Sequence, residues 1–196
     1  MSFANRAFAK VFSDKLEIPV IQGGMGVGIS MGKLAGSVAA CGGMGVISTA
    51  LIGFREEDFY QNHVEADVRA LRKEIQIAKE IADGRGMIAI NAMTVTTDYR
   101  ECIEAAVREG IDAIISGAGL PLALPEIVDG KDVLIAPIVS SAKAAALIMR
   151  SWNKKCERKP DFIVVEGSGA GGHLGFKKEE LLNKSYQPLT EIVSDV

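Results

Sequence analysis

The fold is decided by the stretch DFIVVEGSGAGGHLGF, which runs from Asp161 to Phe176. An apolar run from Phe162 to Val165 ends at Glu166, and four glycines follow within the next six residues. Inside this glycine-rich loop lies His173, one of the two histidines in the chain. An apolar strand followed by a flexible loop with one titratable side chain is typical of sites at the C-terminal ends of strands in α/β proteins. We therefore expect the chemistry in this loop, with His173 as the residue that transfers protons.

The composition is that of one globular domain. The chain has 196 residues, of which 48% are hydrophobic and 24% are charged, enough for a single domain with a core. Its net charge of -3 argues against non-specific nucleic-acid binding, which needs a basic surface. The sequence contains no run of about 18 apolar residues, so it predicts no membrane span.

The cysteines and the N-terminus favour a cytoplasmic protein. Cys41, Cys102 and Cys156 are odd in number and far apart, and they form no CxxC motif. This usage is typical of reduced thiols in the cytoplasm. Residues 1–14 mix charges with apolar residues and lack the apolar core of a signal peptide.

Six short apolar runs alternate with longer stretches that have helical periodicity or charge. The runs themselves do not alternate between apolar and polar residues, which is typical of parallel strands buried on both faces. No linker or shift in composition divides the chain, so we expect one α/β domain over residues 1–196. The predicted strands are Glu17–Gln22, Gly45–Thr49, Met87–Asn91, Asp112–Ser116, Val133–Val139 and Phe162–Val165.

Polar residues or glycines follow every predicted strand. A closed barrel gathers such residues around one mouth, whereas an open doubly wound sheet concentrates them at a switch point. We therefore predict a (β/α)8 TIM barrel, of which this chain supplies about the first six strand–helix units. Eight such units usually take about 250 residues, so two units are not in this sequence.

The turn after the first predicted strand is rich in glycine but does not match a dinucleotide-binding fingerprint. Its glycines lie at positions 23, 24, 26 and 28 rather than in the spacing GxGxxG, and the second predicted strand ends in Ser48-Thr49 rather than in an acid. Four glycines are more than a tight βα turn needs. We interpret this loop as backbone that lies against a flat ring.

Two polar residues leave alternatives open. Asn91 could hydrogen-bond a ring carbonyl or a phosphate, or it could simply form a turn or cap the following helix. His173 could bond a backbone carbonyl, but the glycines around it offer no packing reason for a histidine, which favours proton transfer. No second or third metal ligand lies near His173 in the sequence, so no zinc site is predicted.

Several stretches that follow the predicted strands form a recognisable set. They are Pro19-Val-Ile-Gln-Gly-Gly-Met25, Gly42-Gly-Met-Gly-Val46, Asn91-Ala-Met93, Ser116-Gly-Ala-Gly-Leu-Pro121, Glu166-Gly and Ala170-Gly-Gly-His-Leu-Gly175. Together they resemble the nitronate monooxygenase family, formerly called 2-nitropropane dioxygenases, and its relative, the flavin-dependent type II enoyl-ACP reductase. The resemblance covers nearly the whole chain.

The resemblance implies a TIM barrel that binds FMN without a covalent bond. It implies that His173 acts near the reactive face of the flavin as a base or as a substrate-positioning group. The cofactor-binding residues it implies are Gly23, Gly24, Met25, Asn91, Ser116, Gly117, Glu166, Gly171 and Gly172. The FMN phosphate would be held by glycine-rich loops after strands seven and eight, so we expect this chain by itself to bind FMN poorly.

The resemblance leaves three functions to separate. The first is oxidation of alkyl nitronates with O2 through the bound flavin. The second is an NAD(P)H-dependent reduction of an enoyl thioester, and the third is a non-catalytic flavin-binding fragment. The incomplete set of strands predicts a homo-oligomer or a completing C-terminal fragment as partner, because unpaired apolar strand edges favour association.

Overall fold

The computed structural model describes residues 11–12 and 15–196. Most of residues 1–14, where we expect no signal peptide, therefore lie outside the described residues. Strands and helices alternate along the described chain. The strands are Met44–Ser48 (β1), Met87–Met93 (β2), Ala113–Gly117 (β3), Leu134–Val139 (β4) and Val164–Val165 (β5). The helices are Gly32–Ala40 (α1), His63–Ala82 (α2), Tyr99–Arg108 (α3), Leu124–Ile127 (α4), Ala142–Cys156 (α5), Lys178–Leu182 (α6) and Leu189–Asp195 (α7).

The five strands form one parallel sheet in which the spatial order equals the chain order, β1-β2-β3-β4-β5. Each strand pairs in parallel with the next, and Ser48, for example, lies opposite Asn91. A sheet that adds each new strand at the same edge, with a crossover outside it, curls toward closure. The arrangement is a partial (β/α)8 barrel, which confirms the predicted fold class.

The prediction of a strand over Glu17–Gln22 was wrong. This segment runs beside β1 but makes only one isolated parallel bridge, between Ile21 and Met44. The reason lies at Pro19, which has no N–H and a fixed φ. The backbone turns there, with the Val20 N–H donating to the Ile18 carbonyl at 2.7 Å, so the segment cannot run as a regular strand.

Side chains alternate along each strand between two apolar clusters. On β2, for example, Ile88 and Ile90 pack against the helices, whereas Met87 and Ala89 face the interior of the barrel. Both clusters are apolar, which explains why the strands appear in the sequence as continuous apolar runs. By the same alternation Asn91 follows Met87 and Ala89 on the interior side, at the C-terminal end of β2.

The helices cover the outer face of the sheet. The long helix α2 buries Leu71, Ile75, Ala78 and Ala82, a spacing that puts them on one face. Helix α5 begins at a Ser141 N-cap, whose hydroxyl accepts from the Ala144 N–H, and it buries the only tryptophan, Trp152. Among the described residues no helix is long and apolar enough to cross a membrane.

Candidate active site

Gly24 lies directly against the side chain of Asn91. A β-carbon added at Gly24 would touch the Asn91 Cβ and would lie 2.8 Å from Cγ and 3.0 Å from Oδ1. Asn91 itself is half-buried, and its carbonyl accepts from the Thr49 N–H at 3.0 Å and from the Thr49 hydroxyl at 3.2 Å. The glycine turn and the end of β2, far apart in the sequence, therefore meet at the mouth of the barrel.

The loop from Gln22 to Ser30, which we call the glycine loop, is closed by its two end residues. The Gln22 amide donates to the buried Ser30 hydroxyl at 2.7 Å and to the Gly23 carbonyl at 2.8 Å. The Ser30 hydroxyl also accepts from the Met25 N–H at 2.9 Å and donates to the Gly23 carbonyl at 3.3 Å. These bonds hold the loop in one shape although glycines make its backbone permissive.

The same two residues tie the glycine loop to the edge of β1. The Val46 N–H donates to the Gln22 side-chain oxygen at 3.2 Å, and the Ser48 N–H donates to the Ser30 carbonyl at 2.9 Å. These N–H groups would pair with a neighbouring strand if the first segment were regular. Buried backbone donors need an acceptor, and here the glycine loop supplies it.

A second loop, residues 49–62 between β1 and α2, packs against the glycine loop from outside. A β-carbon at Gly26 would lie 2.9 Å from the Ala50 Cβ, and one at Gly28 would lie 2.8 Å from the Phe54 ring. The Arg55 guanidinium stacks on that ring, 4.9 Å from its centroid. We call residues 49–62 the β1–α2 loop. It packs against the outer side of the glycine loop.

The loop that follows β5 is closed at its base. The Gly175 N–H donates to a Glu166 carboxylate oxygen at 2.8 Å, and the Ser140 hydroxyl donates to the Gly175 carbonyl at 2.9 Å. A β-carbon at Gly175 would collide with the Ser140 hydroxyl, so a larger residue there would displace that hydroxyl and break its bond to the loop. His173 lies within this closed loop, exposed to solvent, and no hydrogen bond joins it to another described residue.

The backbone leaves open space where the glycines are most frequent. Gly23, Gly169, Gly171 and Gly172 have no atom within 4 Å of the position a β-carbon would take. The loop that contains Gly169, Gly171 and Gly172 follows the C-terminal end of β5. Gly23 lies at the same end of the sheet, next to the Gly24–Asn91 contact, and this is where barrels place their ligands. Exposed glycine backbone beside a side-chain amide is the kind of surface that a flat, polar ring can approach closely.

Comparison with known proteins identifies the family. The family model described as nitronate monooxygenase matches residues 9–196. The chain belongs to the nitronate monooxygenase family. This confirms the resemblance on which the sequence prediction rests, and the predicted cofactor, FMN, is the cofactor of this family.

Solved structures agree with the family on the fold. The chain is similar to FabK from Thermotoga maritima, with a TM-score of 0.67 and 21% identity over 96% of this chain. It is similar to the M276A mutant of the same FabK, with a TM-score of 0.68 and 21% identity over 86% of this chain. The chain spans about half the length of these structures, 50% and 48% respectively. No curated protein matches the chain.

The exposed glycine surfaces and Asn91 fit the FMN of this family, but the structure does not bring all the predicted site residues together. Gly24 meets Asn91, and Glu166 closes the His173 loop. The side chain of Ser116 points away from the mouth: it is fully buried, and its hydroxyl lies 2.8 Å from the Tyr99 hydroxyl on α3. Burial raises the pKa of Tyr99 to about 12, so this phenol stays protonated.

The remaining predicted residues lie at the mouth without side-chain contacts to Asn91. Gly117 follows Ser116 on the interior side of β3, where a β-carbon would lie 3.0 Å from the Ile138 side chain. Met25 is exposed in the glycine loop, and Gly171 and Gly172 are exposed in the His173 loop. Their roles as cofactor contacts stay predictions.

Sequence reasoning missed three residues that shape the site, namely Gln22, Ser30 and Ser140. Gln22 stands directly before the double glycine, so the stretch that carried the family resemblance contained a signal for it. Ser140 directly follows the predicted strand Val133–Val139, so its position was a signal, but its bond to Gly175 was not foreseen. Ser30 carries no such signal, because its role depends on a loop that returns to it only in the folded chain. Among the described residues no cluster of three or more His, Cys, Asp or Glu side chains could hold a metal ion.

Proposed function

We propose that this chain forms the flavin-facing part of an FMN-dependent oxidoreductase of the nitronate monooxygenase type, which oxidises alkyl nitronates with O2. The observation that carries the proposal is the family match over residues 9–196, combined with a histidine-bearing glycine loop at the same end of the sheet as the Gly24–Asn91 contact. When bound, FMN supplies the electron transfer, and the protein supplies position and proton handling.

The glycine loop and Asn91 are the proposed flavin contacts. Gly23 is open above its backbone, so a ring can lie close to it. Asn91 is half-buried on the interior side of β2. Its NH2 group makes only a long bond, 3.5 Å, to the Ile115 carbonyl, and its side-chain oxygen can accept from a ring N–H. A larger residue at position 24 would collide with the Asn91 side chain, so the position of the glycine loop and the position of the Asn91 side chain depend on each other.

His173 is the proposed proton-handling residue. Its imidazole is exposed, is flanked by glycines and has no bond to a described residue, so either ring nitrogen is free to accept a proton from substrate or to orient an anion. The Glu166–Gly175–Ser140 bonds hold the base of its loop and limit how far the ring can move. A positioned general base contributes about 10²- to 10⁴-fold to a rate.

A second candidate function is the reduction of an enoyl thioester with NAD(P)H. The observation that favours it is the structural similarity to FabK, a flavin-dependent enoyl-ACP reductase. Both functions would use the same flavin-binding loops, and they differ in the substrate pocket above the flavin ring. A non-catalytic flavin-binding fragment is the third alternative, and a purified protein without the yellow absorbance of flavin would favour it.

The test is a pair of assays on one purified protein and two histidine variants. Nitronate-dependent O2 consumption supports the first function, and NADH or NADPH oxidation that requires an enoyl thioester supports the second. His173→Ala should reduce the supported activity by about 10²-fold or more. The matched control is His63→Ala, because His63 bonds Thr97 at 2.9 Å and lies outside the proposed site. Equal activity of His173→Ala and wild type would refute the role of His173.

A further inference from the structure

Helix α2 carries two acidic side chains that accept hydrogen bonds from glycine N–H groups in two different segments. Asp67 Oδ1 accepts from the Gly53 N–H, and Glu74 Oε2 accepts from the Gly32 N–H, both at 2.6 Å. Asp67 is buried and Glu74 is half-buried. The two acids are about two helical turns apart, so they lie on the same face of α2. One face of this helix therefore supplies an acceptor to each segment.

Glu74 holds the end of the glycine loop. Gly32 is the first residue of α1, and it comes shortly after Ser30, the buried residue whose hydroxyl closes that loop. A β-carbon at Gly32 would collide with the Glu74 carbonyl oxygen, so α1 begins in direct contact with α2. The first N–H groups of a helix have no acceptor within the helix. The Glu74 carboxylate supplies one here, and its negative charge is favourable at a helix N-terminus.

Asp67 holds the β1–α2 loop in the same way. A β-carbon at Gly53 would lie 2.5 Å from the Ala66 carbonyl carbon and 2.7 Å from the Asp67 nitrogen, so the loop packs directly on the first turns of α2. The next residue, Phe54, contacts the glycine loop at Gly28. The two loops are therefore each bonded to α2 and also touch each other.

We propose that Glu74 and Asp67 are positioning residues, which fix the glycine loop and the β1–α2 loop relative to each other and so set the position of the backbone at Gly23. They act from α2, on the outer side of the sheet, through the N–H groups of Gly32 and Gly53. Loss of either acid leaves a glycine N–H without its acceptor and frees one loop. The effect on flavin binding rests on the proposed function, whereas the effect on the loops does not.

The experiment measures amide hydrogen exchange in the full chain without added flavin. The reporters are the N–H groups of Met25 and Ser30 in the glycine loop and of Glu56 in the β1–α2 loop, which bond within their own loops and not to either acid. Glu74→Ala should speed exchange at Met25 and Ser30 by about tenfold or more, and Asp67→Ala should do so at Glu56, because a bond to a charged acceptor is lost. Glu74→Gln and Asp67→Asn keep an acceptor oxygen and should retain most of the protection.

The matched control is Asp112→Ala. Asp112 also accepts from a backbone N–H, that of Ile88 at 2.8 Å, but this bond lies near the N-terminal end of β2, opposite to the two loops. This variant should leave exchange at the loop reporters unchanged. Glu74 is only half-buried, so Glu74→Ala decides the outcome if Asp67→Ala does not fold. Wild-type exchange rates in the loop of the altered acid, or a Glu74→Gln variant as fast as Glu74→Ala, would overturn the proposal.

Titration with riboflavin tests the flavin site separately. Riboflavin has the flavin ring but no phosphate, so its affinity reports contacts to the ring. Its dissociation constant should rise about fivefold or more in Glu74→Ala and return toward the wild-type value in Glu74→Gln. Equal affinities of wild type and Glu74→Ala would overturn the positioning role at the flavin site. Absence of riboflavin binding by wild type, with the expected exchange rates, would count against the proposed function while supporting the role of the two acids in holding the loops.

Discussion

Replacement of Gly24 by alanine tests whether the glycine loop must pass beside Asn91. The added methyl would contact the Asn91 Cβ and would lie 2.8 Å from Cγ and 3.0 Å from Oδ1, well inside normal contact distances. Asn91 cannot yield easily, since its strand is paired on both sides and Thr49 bonds its carbonyl twice. Overpacking of this kind costs about 1–3 kcal/mol.

Gly23→Ala is the matched control for this prediction. Nothing lies within 4 Å of a β-carbon at Gly23, and neither Gly23 nor Gly24 has a positive φ. Both substitutions therefore restrict the unfolded chain equally, by about 0.4–1 kcal/mol in favour of the folded state. The difference between the two variants isolates the collision with Asn91.

Urea unfolding measures this difference, with the midpoint compared at constant slope. We expect Gly24→Ala to be less stable than Gly23→Ala by about 1–3 kcal/mol. Where FMN binding is measurable, its affinity should fall in Gly24→Ala as well, because the loop or the Asn91 amide is displaced. If the two variants unfold within about 0.3 kcal/mol of each other, within the error of additivity, the close approach does not constrain the loop and the reasoning is refuted.

Three further predictions concern buried or loop-closing groups. Because the pKa of Asp67 rises from 3.8 unfolded to about 6 folded, the folded state binds the proton more tightly. The unfolding free energy should therefore fall as pH rises through this window, by on the order of 3 kcal/mol, as urea unfolding at several pH values can measure. Tyr99→Phe leaves the buried Ser116 hydroxyl without its partner, and thermal unfolding should show a loss of about 1–3 kcal/mol. Glu166→Ala should speed amide exchange at Gly175, whereas Glu166→Gln, which keeps the acceptor oxygen, should not.

Much of the architecture could be predicted from the sequence because its signals are local. An apolar stripe through Val68, Leu71 and Ile75, with a glycine after Asp83, predicts a helix over Val64–Asp83. The observed helix, His63–Ala82, agrees with it to within one residue at each end. The segment over Glu17–Gln22 was predicted wrongly because its apolar run outweighed Pro19. Its hydrogen bonds show that one residue without an N–H can turn a strand-like run aside.

The candidate site was predicted in outline rather than in detail. The glycine loop, Asn91 and the His173 loop were predicted from their positions after apolar runs, and the structure places all three at one end of the sheet. Ser116 shows the limit of this reasoning. A strand that is buried on both faces carries no sequence signal for which of its residues face the helices. The burial of the Ser116 hydroxyl beside Tyr99 therefore could not be predicted.

The sequence by itself determined the alternation of strands and helices, the family, and the end of the sheet where we propose the site, because each follows from short stretches of sequence. Only the tertiary structure decided which glycine is sterically constrained, which face of β3 carries Ser116, and that the Gly53 N–H donates to buried Asp67. These properties depend on strand pairing and on helix packing between distant segments. A contact between residues on different elements exists only once the chain has folded, and no local pattern encodes it.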